Sequence, residues 1–201
     1  RVNLDRYNVI IMTGYSYGDL STRTVEAVKS WVLEGGTLIT MKQAVSWASQ
    51  QGLANVEYVR PDRGDSPVTR PYVKQGADNG AEVIGGTIFN AQLDLTHPLA
   101  YGYNQSLIRV FRNTTMFLKK GQNPYSTPLY YTGDPLASGY VSKANEETIK
   151  GTAAIVVSRV GSGKVIAMTD NPNFRAFWYG TNKLFANAIF FGQTISGSTG
   201  N

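Results

Sequence analysis

Apolar residues first appear as short unbroken runs separated by helical spacing. Val9-Ile10-Ile11-Met12, closed by Gly14, has no polar alternation, and such a run predicts a strand buried on both faces of a parallel sheet. Ser21 or Thr22 can then cap a helix in which Val25, Val28, Trp31 and Val32 share one face until Gly35-Gly36 stops it. Thr37-Leu38-Ile39-Thr40-Met41 repeats the buried-strand signature, and Ala44-Val45-Ser46-Trp47-Ala48 opens a second helix. Strand, helix, strand and helix within about fifty residues predict a βαβ crossover and a parallel sheet.

The rest of the chain is less regular. Residues 56–80, with Arg60-Pro61-Asp62-Arg63-Gly64-Asp65 and Arg70-Pro71, predict a long irregular excursion. Val83 to Phe89 resumes a strand, and Leu107 to Phe111 with Met116 to Leu118 predict two more, joined by a turn at Arg112-Asn113. Ala153 to Val157 and Lys164 to Met168 flank Gly161-Ser162-Gly163 as an antiparallel hairpin. Thr181 is placed to cap a last helix whose Leu184, Phe185, Ala188, Ile189 and Phe191 form a wide apolar stripe ended by Gly192. The expectation is one α/β domain over 1–192 and a flexible Gly/Ser-rich tail over 193–201.

Composition narrows the chemistry. The chain has 201 residues, 42% of them apolar, and no cysteine, which excludes disulfides, thiolate metal sites and a cysteine nucleophile. Nothing approaches the length of apolar sequence that a membrane span needs. The formal charge of +5 is scattered rather than gathered into a basic run, so nucleic acid is not an expected partner. Arg1 is not an initiator methionine, so the chain reads as processed or as a piece of something longer.

Four places carry candidate chemistry. Gly14-Tyr15-Ser16-Tyr17-Gly18 fits the GxSxG elbow that presents a catalytic serine after a strand. The only histidine is His97, so a Ser16 hydrolase must use it, yet the nearest acid, Asp94, lies just three residues before it. A single histidine without cysteine is a poor zinc site, so no metal is expected here. Gly161-Ser162-Gly163-Lys164 fails the phosphate-loop pattern on both sides, with Ser158 and Val165 at the positions that need glycine and a hydroxyl. Asp170 to Asn182 is dense in amides and aromatics, and includes Asn173 and Arg175 at the end of a strand, where ligands sit in open α/β sheets. Two sequons, at Asn104 and Asn113, and the tripeptide Arg63-Gly64-Asp65 carry no functional weight alone.

The segments Asp94 to Tyr103, Asp170 to Trp178 and Gly180 to Gly192 resemble the C-terminal region of bacterial M14-type zinc carboxypeptidases, especially those of Bacteroidetes. That region is similar to class I glutamine amidotransferase-like domains. The resemblance implies a three-layer α/β/α, flavodoxin-like sandwich with a mostly parallel sheet and a C-terminal antiparallel hairpin, with an earlier β/α unit missing before Arg1. It implies an accessory domain of an exported enzyme, periplasmic or extracellular, whose partner is the peptidase domain of the same polypeptide. Zinc is expected only in that peptidase domain, because an HxxE pair and a distant His cannot be drawn from one histidine. On the same resemblance the amidotransferase nucleophile elbow falls near Thr40-Met41-Lys42-Gln43-Ala44, where no nucleophile stands, and the oxyanion loop falls on Gly14-Tyr15-Ser16. The expected contacts of a non-catalytic domain are Tyr15, Tyr17, His97, Asn173 and Arg175. The alternatives are a serine esterase using Ser16 and His97, or a small-molecule or sugar-binding module.

Overall fold

The computed structural model describes residues 3–62 and 69–196. Strands β1 (Val9–Met12) and β2 (Thr37–Met41) are joined by helix α1 (Thr22–Leu33), and α2 (Gln43–Gln50) follows β2 at once. Ser21 caps α1 as expected, its hydroxyl accepting from the Thr24 N–H at 3.3 Å. The short strand β3 (Tyr58–Val59) and helix α3 (Gln75–Glu82) occupy part of the stretch expected to be irregular. Arg63-Gly64-Asp65 lies outside the described residues. The chain continues through β4 (Thr87–Leu93), β5 (Leu107–Arg112), β6 (Phe117–Leu118), β7 (Leu129–Ser138), α4 (Lys143–Ile149), β8 (Ala153–Val160), β9 (Gly163–Met168) and α5 (Tyr179–Phe191).

The main sheet runs β1-β2-β9-β8-β7-β4-β5, with β6 pairing β8 and β3 pairing β6. Parallel pairing is confined to β1-β2 and β2-β9, and every other pair is antiparallel. The sheet is therefore mixed, not mostly parallel. Helical crossovers produce parallel neighbours, whereas β8 and β9 are joined by a two-residue turn and β4, β5 and β7 by loops and 3-10 turns, which permit antiparallel pairing. Nor is β1 covered on both faces: as an edge strand it leaves Ile11 40% exposed.

The layers follow from the two-residue period of the strands. Leu38 of β2 and Val165 of β9 face a cluster containing Val28, Trp31 and Val32 of α1 and Ala44, Trp47 and Ala48 of α2. Their neighbours Ile39, Met41, Ile166 and Met168 face the larger cluster with Leu184 and Ala188 of α5. Helices thus cover both faces of the central strands, which is the α/β sandwich expected. Helix α5 begins before Thr181, whose hydroxyl donates to Pro172 O at 2.7 Å instead of capping the helix. The ordered chain also continues past Gly192, through a 3-10 turn to Ile195, which joins the larger core cluster.

Candidate functional site

Strand directions decide which candidate residues can meet. β1, β2, β5 and β9 all point the same way, whereas β4 points the opposite way. Ser16 follows the C-terminal tip of β1, and His97 follows the C-terminal end of β4, so the two lie at opposite ends of the sheet. The Ser16–His97 pair of the esterase reading is not assembled.

His97 is instead a packed residue, 8% exposed. Its Nδ1 accepts from the Leu99 N–H at 3.2 Å, fixing the proton of the neutral ring on Nε2, which finds no partner among the described residues. Burial lowers the His97 pKa and nearby Asp94 opposes that shift. Because the folded value lies below the unfolded one, about 6.5, the unfolded chain takes the proton more readily. Stability should therefore fall as pH drops through and below that unfolded value, and level off above it. His97→Asn keeps an acceptor for Leu99 N–H but cannot titrate. Denaturation midpoints measured between about pH 5 and 7 should slope for the wild type and flatten for the variant; equal slopes would contradict this account.

The other expected contacts are dispersed. Tyr15 is 76% exposed, whereas Tyr17 packs obliquely on Trp47 with ring centres 6.2 Å apart. Arg175 and Ala176 have positive φ angles of 51° and 57° in an exposed turn, and Arg175 does not reach the buried carbonyls. Asn173 lines a groove on the outer side of α5 with Trp178 and Phe185. Phe174 seals the sheet by stacking on Phe111 at 3.8 Å.

What the segments just after β2 and β5 do build, with Tyr58 of β3 and the approach to β4, is a cleft of about 480 Å³, bounded by Lys42, Ser46, Tyr58, Ile84 and the loop from Asn113 to Met116. Lys42 stands at the turn between β2 and α2 with φ 51° and ψ −122°, a conformation that side chains with a Cβ rarely adopt. Such strain costs about 1–3 kcal/mol and persists only where the surroundings fix it. Here the Lys42 N–H donates to Met168 O at 3.0 Å, and Val45 N–H returns to Lys42 O at 2.9 Å. Gly14 lies against the lysine stem: a Cβ at Gly14 would meet Lys42 Cδ at 2.9 Å. The elbow and the oxyanion-loop positions of the resemblance are therefore adjacent, with an ammonium-bearing side chain at the elbow.

The wall opposite is held by a group that sequence reasoning missed. Arg112, expected in a turn, is the last inward residue of β5 and is fully buried. Its Nη1 donates to Asp170 Oδ2 at 2.9 Å, Tyr131 Oη at 3.0 Å and Thr169 Oγ1 at 3.1 Å. Its Nε donates to Thr114 O at 3.0 Å, and Nη2 donates to Met116 O. Burial works against the Arg112 charge, but the Asp170 carboxylate and Tyr131 hydroxyl outweigh it and raise the pKa. Burial, reinforced by Asp170, also pushes the Tyr131 hydroxyl up, so it stays protonated and donates to Asp170 Oδ2 at 2.9 Å. Arg112 thus ties the tip of β9 to the loop that faces Lys42. A signal existed in Ile108, Val110 and Arg112, which share one face by alternation.

No protein family and no curated protein matches the chain in sequence. Solved structures match it in fold. A PurLQS structure from Thermotoga maritima aligns with a TM-score of 0.58 and 14% identity over 94% of this chain and 82% of that one. A ThuA-like protein from Parabacteroides merdae aligns with a TM-score of 0.58 and 11% identity over 98% and 75%. One from Bacteroides uniformis gives 0.51 and 12% over 98% and 74%. At these identities the likeness defines the fold, an amidotransferase-like and ThuA-like α/β architecture.

Proposed function

We infer that the chain is a non-catalytic, amidotransferase-like accessory domain of an exported zinc carboxypeptidase, acting in binding, docking or stabilisation beside the peptidase domain of the same polypeptide. The observation that carries the non-catalytic part is Lys42 at the elbow, in the strained geometry that other folds use to expose a nucleophile. An ammonium held there on a long stem is suited to holding a ligand, and the only histidine lies at the far end of the sheet. The carboxypeptidase parentage rests on the resemblance of the segments at 94–103, 170–178 and 180–192. An HxxE pair and a distant His in the same reading frame would support it, and a full-length gene without them would overturn it.

A fluorophosphonate probe tests the activity. Ser16 is exposed and no base is hydrogen-bonded to it among the described residues, so the expected result is no stoichiometric labelling and no ester or glutamine hydrolysis. Labelling abolished by Ser16→Ala would overturn the reading in favour of a hydrolase.

A further inference from the structure

Most of the cleft's surface chemistry is that of an anion receptor without an anion of its own. Among the described residues its lining contains one cation, Lys42, and no carboxylate. The side chains of Lys42, Gln43, Asn113 and Thr115 make no hydrogen bond or ion pair among the described residues, although all four border the same space. Lys42 could shed its backbone strain by becoming glycine, so its conformation fixes where an ammonium stands. Val83, Ile84 and Met116 complete the wall with apolar surface. A bare inorganic ion would leave that surface wet, whereas an organic acid would cover it.

We propose that this cleft binds an organic acid, a carboxylate carried on an apolar stem, with Lys42 pairing the carboxylate, Asn113 and Thr115 donating to its oxygens, and Ile84 and Met116 packing on the stem. The inference rests on the reading above that the elbow residue binds and does not attack. Gly14 sets the direction of the lysine stem, since a methyl group there would collide with Lys42 Cδ. The donor set also suits the C-terminal carboxylate of a peptide, so a free acid and a peptide end are two sources of one chemistry.

Calorimetric titration of the chain with acetyl-leucine, acetyl-alanyl-leucine, acetyl-alanyl-leucinamide and inorganic phosphate separates them. Saturable binding of at least one of the two acids is expected, and amidation should weaken the peptide about tenfold or more, because the charge-assisted contact is lost. A preference for the dipeptide acid over acetyl-leucine assigns the peptide end, and the reverse assigns a small acid. Lys42→Met should weaken the acid about tenfold or more, and Lys42→Arg should retain part of the binding. Gly14→Ala, which keeps the lysine but moves it, should also weaken binding with the fold intact by circular dichroism. No binding of either acid, equal binding of acid and amide, phosphate binding as well as the acids, or no effect of Lys42→Met would each overturn the proposal. Turnover of a probe that is lost in Lys42→Met would overturn both this proposal and the non-catalytic reading, whereas absent binding without turnover would overturn only this one.

Discussion

Replacing Arg112 with alanine should cost about 3–5 kcal/mol of folding stability, the largest loss expected from any single side chain of this domain. The change leaves the Asp170 carboxylate 6% exposed without a counter-ion, removes a donor from the Tyr131 and Thr169 hydroxyls, and strands the carbonyls of Thr114 and Met116. The guanidinium also sits 5.0 Å from the centre of the Phe117 ring and 5.1 Å from that of Tyr131, so its removal opens a cavity between two aromatic faces. Both charges of the pair are buried, so solvent does not soften the loss. Urea denaturation gives the number directly, and a loss below about 1 kcal/mol would show that the pair does not hold the strand tips. The double variant Arg112→Met with Asp170→Leu should recover part of the stability, because breaking a buried pair costs more than replacing it with apolar groups.

A comparable collapse is expected at the other end of the sheet for Gly163→Ala. The hairpin between β8 and β9 packs its turn on the end of α1, where Ser162 N–H donates to Leu33 O at 2.9 Å and Lys164 N–H donates to Gly36 O at 3.1 Å. The first of these contacts satisfies a carbonyl that a helix end otherwise leaves unpaired, and the second extends the β2–β9 pairing. They also bring main chains so close that a Cβ on Gly163 would lie 2.0 Å from Val32 O and 2.4 Å from Gly36 O. Neither obstacle is a side chain that can swing away. The strand must lift off α1, at an expected cost of about 2–3 kcal/mol or more. Gly133→Ala is the control, since a Cβ there meets nothing within 4 Å, and it should stay within about 0.5 kcal/mol of the wild type. Equal melting points for the two variants would contradict the packing argument.

These two sites differ in how far the sequence exposes them. The hairpin was legible, because two β-rich apolar runs flank a Gly-Ser-Gly turn. The first βαβ unit was legible for the same reason: its buried runs and the helix cap are local signals. Strand β7 was not, since Gly133, Asp134 and Pro135 interrupt it and proline argues against a strand. The structure absorbs the interruption in the pairing with β4, where the register shifts between the Phe89–Leu136 and Ala91–Tyr131 partners. The sheet's mixed direction was hidden as well, because antiparallel neighbours are chosen by contacts far apart in sequence. Arg112 was read as a turn residue because a charged side chain on an inward position is expected only when a partner is known, and Asp170 lies 58 residues away. The elbow was placed by the resemblance, but only the backbone angles reveal that Lys42 is held in strain there.

That strain supplies the most direct test of the central claim, that the tip of β2 keeps an unfavourable backbone in order to place an ammonium in the cleft. The measurement is the unfolding free energy of the wild type and Lys42→Gly, each with and without the tighter-binding of acetyl-leucine and acetyl-alanyl-leucine, at about ten times its Kd for the wild type. Glycine accepts φ 51° without a Cβ clash, so the variant should be more stable than the wild type by about 1 kcal/mol in the absence of the acid and should gain about 1 kcal/mol less than the wild type when the acid is added. A variant that is less stable than the wild type, or one that the acid stabilises equally, would contradict the account.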